Sequence, residues 1–409
     1  MRVCVVGAGA AGTVASIVLA RAGADVVLVE KNEKIGKKLY ITGKGRCNLT
    51  NDCEIQEFFE NIVNGEKFLR SSIYGFQPKD TMKFFEDLGV ELVVERGNRV
   101  FPLSGKSSDI IRALANEIER LNVTLKLNTE VKEIRKNKDK FEVLTPWEKI
   151  ECDKVVVATG GISYKSTGST GDGYVFARAF GHQIIEPKQA LCPLLVNENV
   201  ASLQGISLKN VNLTAYDASG NVIASEFGEM MFTSRGITGP IVLTISSLVN
   251  RKSKVTLSLD LKPALDEKTL DARILRDFDE RKNQDLKNVT RALLPERLNL
   301  YVLKCAGLKE SKKVNEVTKE ERKSLVDTLK NLRFTVSGLA SFDEAVVTSG
   351  GVSLKNLKPT CESRLESGLY FVGETIDIDA LTGGFNLQLA FATAVSAAKD
   401  ILKSAKDND

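Results

Sequence analysis

One histidine, His182, serves a chain of 409 residues. That scarcity argues against a Ser-His-Asp relay and against a metal site rich in imidazole, so chemistry would fall to a bound cofactor. Cysteine is sparse, scattered and odd in number, at seven. This reads as reduced thiols in a cytoplasmic protein rather than a disulfide framework. No stretch approaches the roughly 18 unbroken apolar residues of a membrane span, and no membrane partner is expected. Net charge is small as well: 57 Lys and Arg against 53 Asp and Glu leave +4. A dedicated nucleic-acid binder would show a stronger basic footprint. What remains is 43% apolar and 27% charged, an ordinary globular composition long enough for two or three domains.

The N-terminus, MRVCVVGAGAAGTVASIVLARAG, resembles a secretory signal only superficially. Its glycines stand at fixed offsets that a cleaved apolar segment does not need. Val3–Val6 is a short continuous apolar run, as in a parallel strand buried on both faces. Gly7, Gly9 and Gly12 follow as G-x-G-x-x-G at the mouth of a helix predicted from Ala10 to about Ala22. In this pattern the first glycine allows the tight turn, the second lets backbone approach a pyrophosphate, and the third seats the helix on the sheet. A second buried strand, DVVLVE, ends at Glu30, where an acid accepts hydrogen bonds from an adenosine ribose. Strand, glycines, helix, strand and acid are in register for a dinucleotide.

Two further stretches point to FAD rather than a nicotinamide dinucleotide. VVVATGG at 155–161, with Thr159 and Gly160, is an apolar strand ending where flavoproteins of the two-dinucleotide-domain type return beneath the cofactor. GLYFVGETIDID at 368–379 supplies Gly373 and Glu374 and leads into GGFN, which opens the final helix. Only one G-x-G-x-x-G exists, so NAD(P)H would visit transiently, from the flavin face, as a co-substrate.

Between these ends the chain changes character. Helices are expected at Ile55–Val63, Lys67–Ser72, Pro78–Leu88 and Ser107–Leu121, and EVKEI, KFEVL and KIEC alternate like a small antiparallel layer. After about Ala190, LKNVNLTAYD and KVTLSLDLK alternate with one wet face, and GPIVLTISSLV between them reads as a helix with Pro240 in its first turn. From about Pro263 to Leu332 the chain is Lys/Glu-rich with helical spacing, which we read as solvated helix faces. Residues 1–190 and 333–409 therefore form one discontinuous α/β domain. An insert occupies 191–332, with a β part to about 262 and a helical part beyond.

ITGKGRCNLTN, from Ile41 to Asn51, fits none of the common short motifs. Gly43-Lys44 is followed by Gly45, not by the Ser or Thr of a P-loop. Cys47 and Cys53 lack a second ligand pair for zinc, and their spacing is not C-x-x-C.

Together with GAGAAG, NRVFPLSGKSSDII, ATGGISYKSTGSTGDGY, FTSRGITGP and the long C-terminal run from VTSGG to FATA, the stretch GKKLYITGKGRCNLTN resembles the BaiN-type (aminoacetone-oxidase-like) family of bacterial NAD(P)/FAD-dependent oxidoreductases. The resemblance spans nearly the whole chain. It implies a glutathione-reductase-like FAD-binding Rossmann-type domain with an inserted β-barrel-like plus helical domain, and non-covalent FAD. On that reading Lys37 and Lys38 neutralise pyrophosphate, and GKGRCN runs along the ribityl chain. Gly45 permits close approach, Arg46 and Asn48 donate to flavin carbonyls or substrate, and Cys47 packs near the ring. Gly384 lets the final helix end on the flavin, where N–H groups of Phe385, Asn386 and Leu387 are unpaired within the helix. Ala11, Lys31 and Val131 complete the expected cofactor-binding set. Ser234 stands where the family commonly has histidine, so no acid–base role carries over to that position, and TCESR replaces the more usual TMESK. His182 reads as a structural, helix-terminal residue.

The function expected is hydride transfer between flavin N5 and a small organic substrate at the junction of the two domains. The enzyme is either an NAD(P)H-linked reductase of conjugated C=C bonds or an amine oxidase. A flavin-containing nucleic-acid-associated or binding protein without small-molecule turnover is the alternative. No catalytic residue and no metal ligand is assigned from the sequence, and the oligomeric state is left open.

Overall fold

Valine-rich runs without polar alternation suit strands covered on both faces. The structure, a computed structural model describing residues 1–406, contains three such strands at Arg2–Val6, Asp25–Val29 and Lys154–Val157. They lie in a five-stranded parallel sheet. Its order is Leu369–Phe371, Lys154–Val157, Arg2–Val6, Asp25–Val29, Thr124–Lys126. Val6 pairs with both Val157 and Val29, and Val157 pairs with Phe371. Four strands thus end at one level, and the loops that follow them share the carboxyl edge, where open α/β sheets bind ligands.

The first helix, Ala10–Arg21, and the final helix, Phe385–Lys406, are rich in small residues. A Cβ at Gly373 would lie 3.0 Å from the Cβ of Ala11 and 3.7 Å from that of Ala390. Small side chains let both helices close on the loop after the edge strand. Glu133–Asn137, Lys140–Leu144 and Lys149–Cys152 form the antiparallel layer that alternation predicts. The expected helix at Ile55–Val63 is shorter. It covers Ile55–Glu60, and Ile62–Asn64 is a strand paired with Asp379–Ala380, a tertiary pairing that local propensity cannot reveal.

Residues 1–190 together with the segment from Phe342 onward make one compact unit, and Leu191–Ser341 makes the other. The sequence-based boundary at 332/333 falls too early. Leu332–Leu339 pairs with Thr256–Asp260 and Leu194–Val196, closing a six-stranded barrel with Ser207–Tyr216, Val222–Phe232 and Gly236–Thr238. That strand cannot leave the unit without opening the barrel. Pro240–Val249 is a helix with proline at its start, and Lys319–Lys330 begins at a Thr318/Glu321 capping box. The helical stretch buries Leu270, Ile274, Leu298, Leu325 and Leu329 in one core with the barrel strands. No helix among the described residues is long and apolar enough to cross a membrane.

Candidate functional site

At the carboxyl edge of the sheet the glycines have different duties. A Cβ at Gly12 would lie 1.8 Å from the Gly7 carbonyl oxygen, so glycine there lets the first helix sit on the turn. Gly9 is extended, with φ −81° and ψ −164°, a conformation open to any residue, and a Cβ there would meet nothing within 4 Å. Neither backbone nor packing within the chain asks for glycine at that point. The open space lies at the amino end of a 12-residue helix with no acidic residue in its first turn, where unpaired N–H groups and the helix dipole favour an anion.

Glu30 follows the second strand and is nearly buried. One oxygen accepts from the Ala8 N–H at 2.8 Å, and the other from the Asn32 N–H at 2.9 Å and Asn32 Nδ2 at 2.7 Å. An ionised carboxylate has about four acceptor sites, so the oxygen facing Ala8 retains an open one. The Thr129 N–H donates to the Glu30 carbonyl at 2.9 Å, which straps the segment bearing Val131 alongside. The Val131 side chain belongs to the core, leaving only its backbone to a cofactor.

The expected free cations are not free. Lys31 donates to Asp172 at 2.7 Å and to Thr170. Lys37 donates to Glu33 at 2.9 Å. Lys38 donates to Glu374 at 2.7 Å and to the Ser163 hydroxyl at 2.6 Å. Each ammonium therefore has a carboxylate partner within the chain, which offsets part of the charge Lys37 and Lys38 could offer a pyrophosphate. Glu374 instead acts as a hub, also accepting from Ser163 Oγ at 3.0 Å and from the Thr348 N–H at 2.7 Å. Gly160 donates its N–H to Thr375 Oγ1 at 3.0 Å. Thr159 Oγ1 is buried and has no hydrogen-bond partner among the described residues. Ser163, Thr348 and Thr375 were not singled out in the sequence. No local spacing marks them, because their convergence depends on distance across the fold.

The segment after Gly36 begins as a helical turn and then breaks. Thr42 has ψ 147°, Gly43 and Lys44 both have φ 58°, and Gly45 has φ 84°. Cys47 is also left-handed at φ 59°. Such conformations cost non-glycine residues roughly 1–2 kcal/mol each and persist where surrounding structure holds them. Here the Cys47 N–H donates to Thr42 O at 3.0 Å and the Leu49 N–H to Val100 O at 2.9 Å. Burial pushes the Cys47 thiol up to about 12, which suits a packed residue and not a redox thiol. The Arg46 guanidinium pairs with Glu95 at 2.5 Å and stacks on Phe101 at 4.3 Å, so part of its donor set is committed within the chain. Asn48 keeps a buried side-chain oxygen without a partner, and a Cβ at Gly45 would meet nothing within 4 Å.

The final helix abuts this segment. Gly384 has φ 100°, and a Cβ there would lie 2.3 Å from Thr50 O. The Asn386 amide is committed to the chain: it accepts from the Ala380 N–H at 3.0 Å and donates to Ala380 O at 2.7 Å. Leu387 packs partly against the core. Any contact these two make with a cofactor falls to their backbone N–H groups, as at any helix start. His182 holds Ala177 O at 3.0 Å through Nδ1 and Ser363 Oγ at 2.8 Å through Nε2, the structural role expected of it.

The site thus offers an unfilled space at Gly9, a carboxylate with one acceptor site left, orphaned polar atoms on Thr159 and Asn48, and two helix amino ends. This donor set fits an anionic dinucleotide such as FAD. No cluster of potential metal ligands occurs among the described residues.

Residues 1–400 match the family described as the HI0933-like protein Rossmann domain. Over 407 residues the chain is 29% identical to a 3-dehydro-bile acid delta(4,6)-reductase of Clostridium scindens, covering 97% of this chain and 98% of that protein. Over 404 residues it is 30% identical to a ribosomal RNA dihydrouridine synthase of Escherichia coli K12, covering 97% of each. A 3-ketosteroid-delta4-(5alpha)-dehydrogenase from Rhodococcus jostii RHA1 shares the fold at TM-score 0.51 and 14% identity, over 97% of this chain and 96% of that one. With the family matched across both units and the sheet edge built for a dinucleotide, the chain belongs to the HI0933-like, BaiN-type family and is an FAD-dependent oxidoreductase.

Proposed function

We propose that this enzyme reduces a carbon–carbon double bond conjugated to a carbonyl, drawing its electrons from NAD(P)H. The carrying observation is that two relatives of nearly full coverage have names describing this one kind of change. One acts on the delta-4,6 bonds of a 3-dehydro bile acid, and the other makes dihydrouridine. Both products have lost an alkene next to a carbonyl. An amine oxidase has no such support. The binding protein without turnover is not favoured, because these relatives are enzymes.

Bound FAD would supply a two-electron hydride carrier. The chain's own part is to hold and polarise it. The space at Gly9 and the amino end of the first helix would hold the pyrophosphate, and the remaining acceptor site of Glu30 would take a ribose hydroxyl. N–H groups at Phe385, Asn386 and Leu387, unpaired at the helix start, would be the donors that favour negative charge on the reduced cofactor, as an oxyanion hole would. Asn48 would accept a cofactor hydroxyl or N–H on its unpartnered side-chain oxygen. All seven cysteines are free, in keeping with a cytoplasmic setting.

The test is anaerobic stopped-flow. Purified yellow protein is mixed with NADH or NADPH and bleaching of the flavin is followed. Reoxidation is then compared for a steroid-type enone, uridine-containing RNA and O2. Fast reoxidation by the enone supports a small-molecule reductase; preference for RNA moves the substrate to a base held in a polymer. Bleaching by a simple amine, with reoxidation by O2 alone, would overturn the proposal.

A further inference from the structure

We propose that Gln388 is a positioning residue that fixes how the amino end of the final helix meets the cofactor, which rests on the reading that this helix end faces the flavin. Gln388 is fully buried in the second turn of that helix. Its Oε1 accepts from Thr50 Oγ1 at 2.7 Å and from Thr81 Oγ1 at 2.6 Å, and its Nε2 donates to Phe76 O at 2.8 Å. The three partners lie on separate pieces of chain. Thr50 is in the strand after the kinked segment, Thr81 is in the helix Pro78–Asp87, and Phe76 caps the helix Glu66–Gly75. Both hydroxyls are themselves fully buried. The amide orientation is determined, because a flipped amide would set its oxygen against the Phe76 carbonyl.

Burying an amide and two hydroxyls is costly unless every group is satisfied, and here Gln388 satisfies both hydroxyls and the Phe76 carbonyl, which a leucine would leave unpaired. What the polar cluster adds is a unique register. Thr50 is the residue whose carbonyl leaves no room for a Cβ at Gly384. Its neighbour Asn51 donates through Nδ2 to Gly383 O and to Gly97 O, each at 3.0 Å. Backbone contact at Gly384, the Asn51 amide and the Gln388 amide thus hold the helix start and the strand Thr50–Asn51 as one piece. Asn48, with its open buried oxygen, is two residues away. Hydrogen-bond donors help a developing charge only when held in place beforehand. An apolar residue at 388 would leave the helix end free to shift against this strand.

The experiment compares wild type, Gln388→Leu, Gln388→Glu and Thr81→Val as reconstituted holoproteins, reading FAD affinity and the two-electron midpoint potential. Gln388→Leu should bind reduced relative to oxidised FAD about tenfold less well than wild type does, a midpoint about 30 mV more negative. Gln388→Glu keeps acceptors for both hydroxyls but brings a negative charge near the helix start, so its potential should fall at least as far. Thr81→Val removes one hydroxyl and leaves the bond to Thr50. It should shift the potential in the same direction by less, and it carries the test if Gln388→Leu fails to fold. Variants that fold, retain FAD and keep the wild-type potential would make Gln388 a packing residue only and overturn the proposal. A wild-type protein that takes up no FAD would overturn the underlying reading along with it.

Discussion

Glu30 holds the glycine turn through Ala8 and the following loop through Asn32, so it organises the cradle before any ligand arrives. Glu30→Ala should weaken FAD binding by about 1.5–3 kcal/mol, the range for hydrogen bonds to a charged group. Fluorescence titration of the apoprotein checks this, and undiminished FAD retention after dialysis would contradict it. His182 makes a pH prediction. Its Nδ1 donates to a carbonyl and its Nε2 accepts a hydrogen bond from the Ser363 hydroxyl, while that oxygen accepts from the Leu365 and Glu366 N–H groups. The network needs the neutral ring, and burial lowers its pKa below the ordinary value. Above about pH 6.5 the folded and unfolded chains are both neutral at this ring and nothing is lost. As pH falls below that value the unfolded chain takes the proton first, and stability drops. Urea midpoints at pH 7.5 and 5.5 should therefore differ more in wild type than in His182→Asn.

At the scale of elements, the final helix depends on Gly384 for its approach to Thr50. Gly384→Ala combines a strained φ, costing roughly 1–3 kcal/mol, with an overlap against backbone that cannot swing aside. A thermal scan should show a midpoint lower by about 5 °C or more, at roughly 2–4 °C per kcal/mol for domains of 150–250 residues. An unchanged midpoint would mean that the helix end is not pressed on the strand. Several elements were legible beforehand because their signals are local: the buried valine strands, the helix begun by Pro240, the alternating antiparallel layer. The left-handed run at Gly43–Gly45 was not, since Lys44 has no local reason to take that conformation. Nor was the strand Ile62–Asn64, which exists only because Asp379–Ala380 lies beside it.

For the whole molecule, the insert leaves and re-enters the cofactor-binding unit close to one place. Ala190 pairs with Val347 across antiparallel strands, five residues after the chain re-enters at Phe342, so Ala190 and Phe342 can be joined by a short linker. A chain with 191–341 replaced by a glycine-rich linker should still purify yellow, with circular dichroism of a folded α/β unit. A folded but colourless product would show that the cradle needs the insert. FAD should raise the thermal midpoint of the full chain in a concentration-dependent way, as expected for any ligand that binds only the folded state.

The sequence by itself determined the dinucleotide cradle, because glycine offsets, buried strands and an acid at a strand end are all set within about thirty residues. It also determined that an insert interrupts the domain, since a change from buried runs to alternating and charged stretches is visible along the chain. Only the tertiary structure decided which charges are available. Lys38 and Arg46 pair with Glu374 and Glu95, which lie far away in sequence. The same holds for the barrel's last strand and for Gln388, whose roles come from partners that no spacing rule connects. Short-range chemistry is written in order along a chain, whereas the pairing of distant charges and strands is fixed only when the fold brings them together.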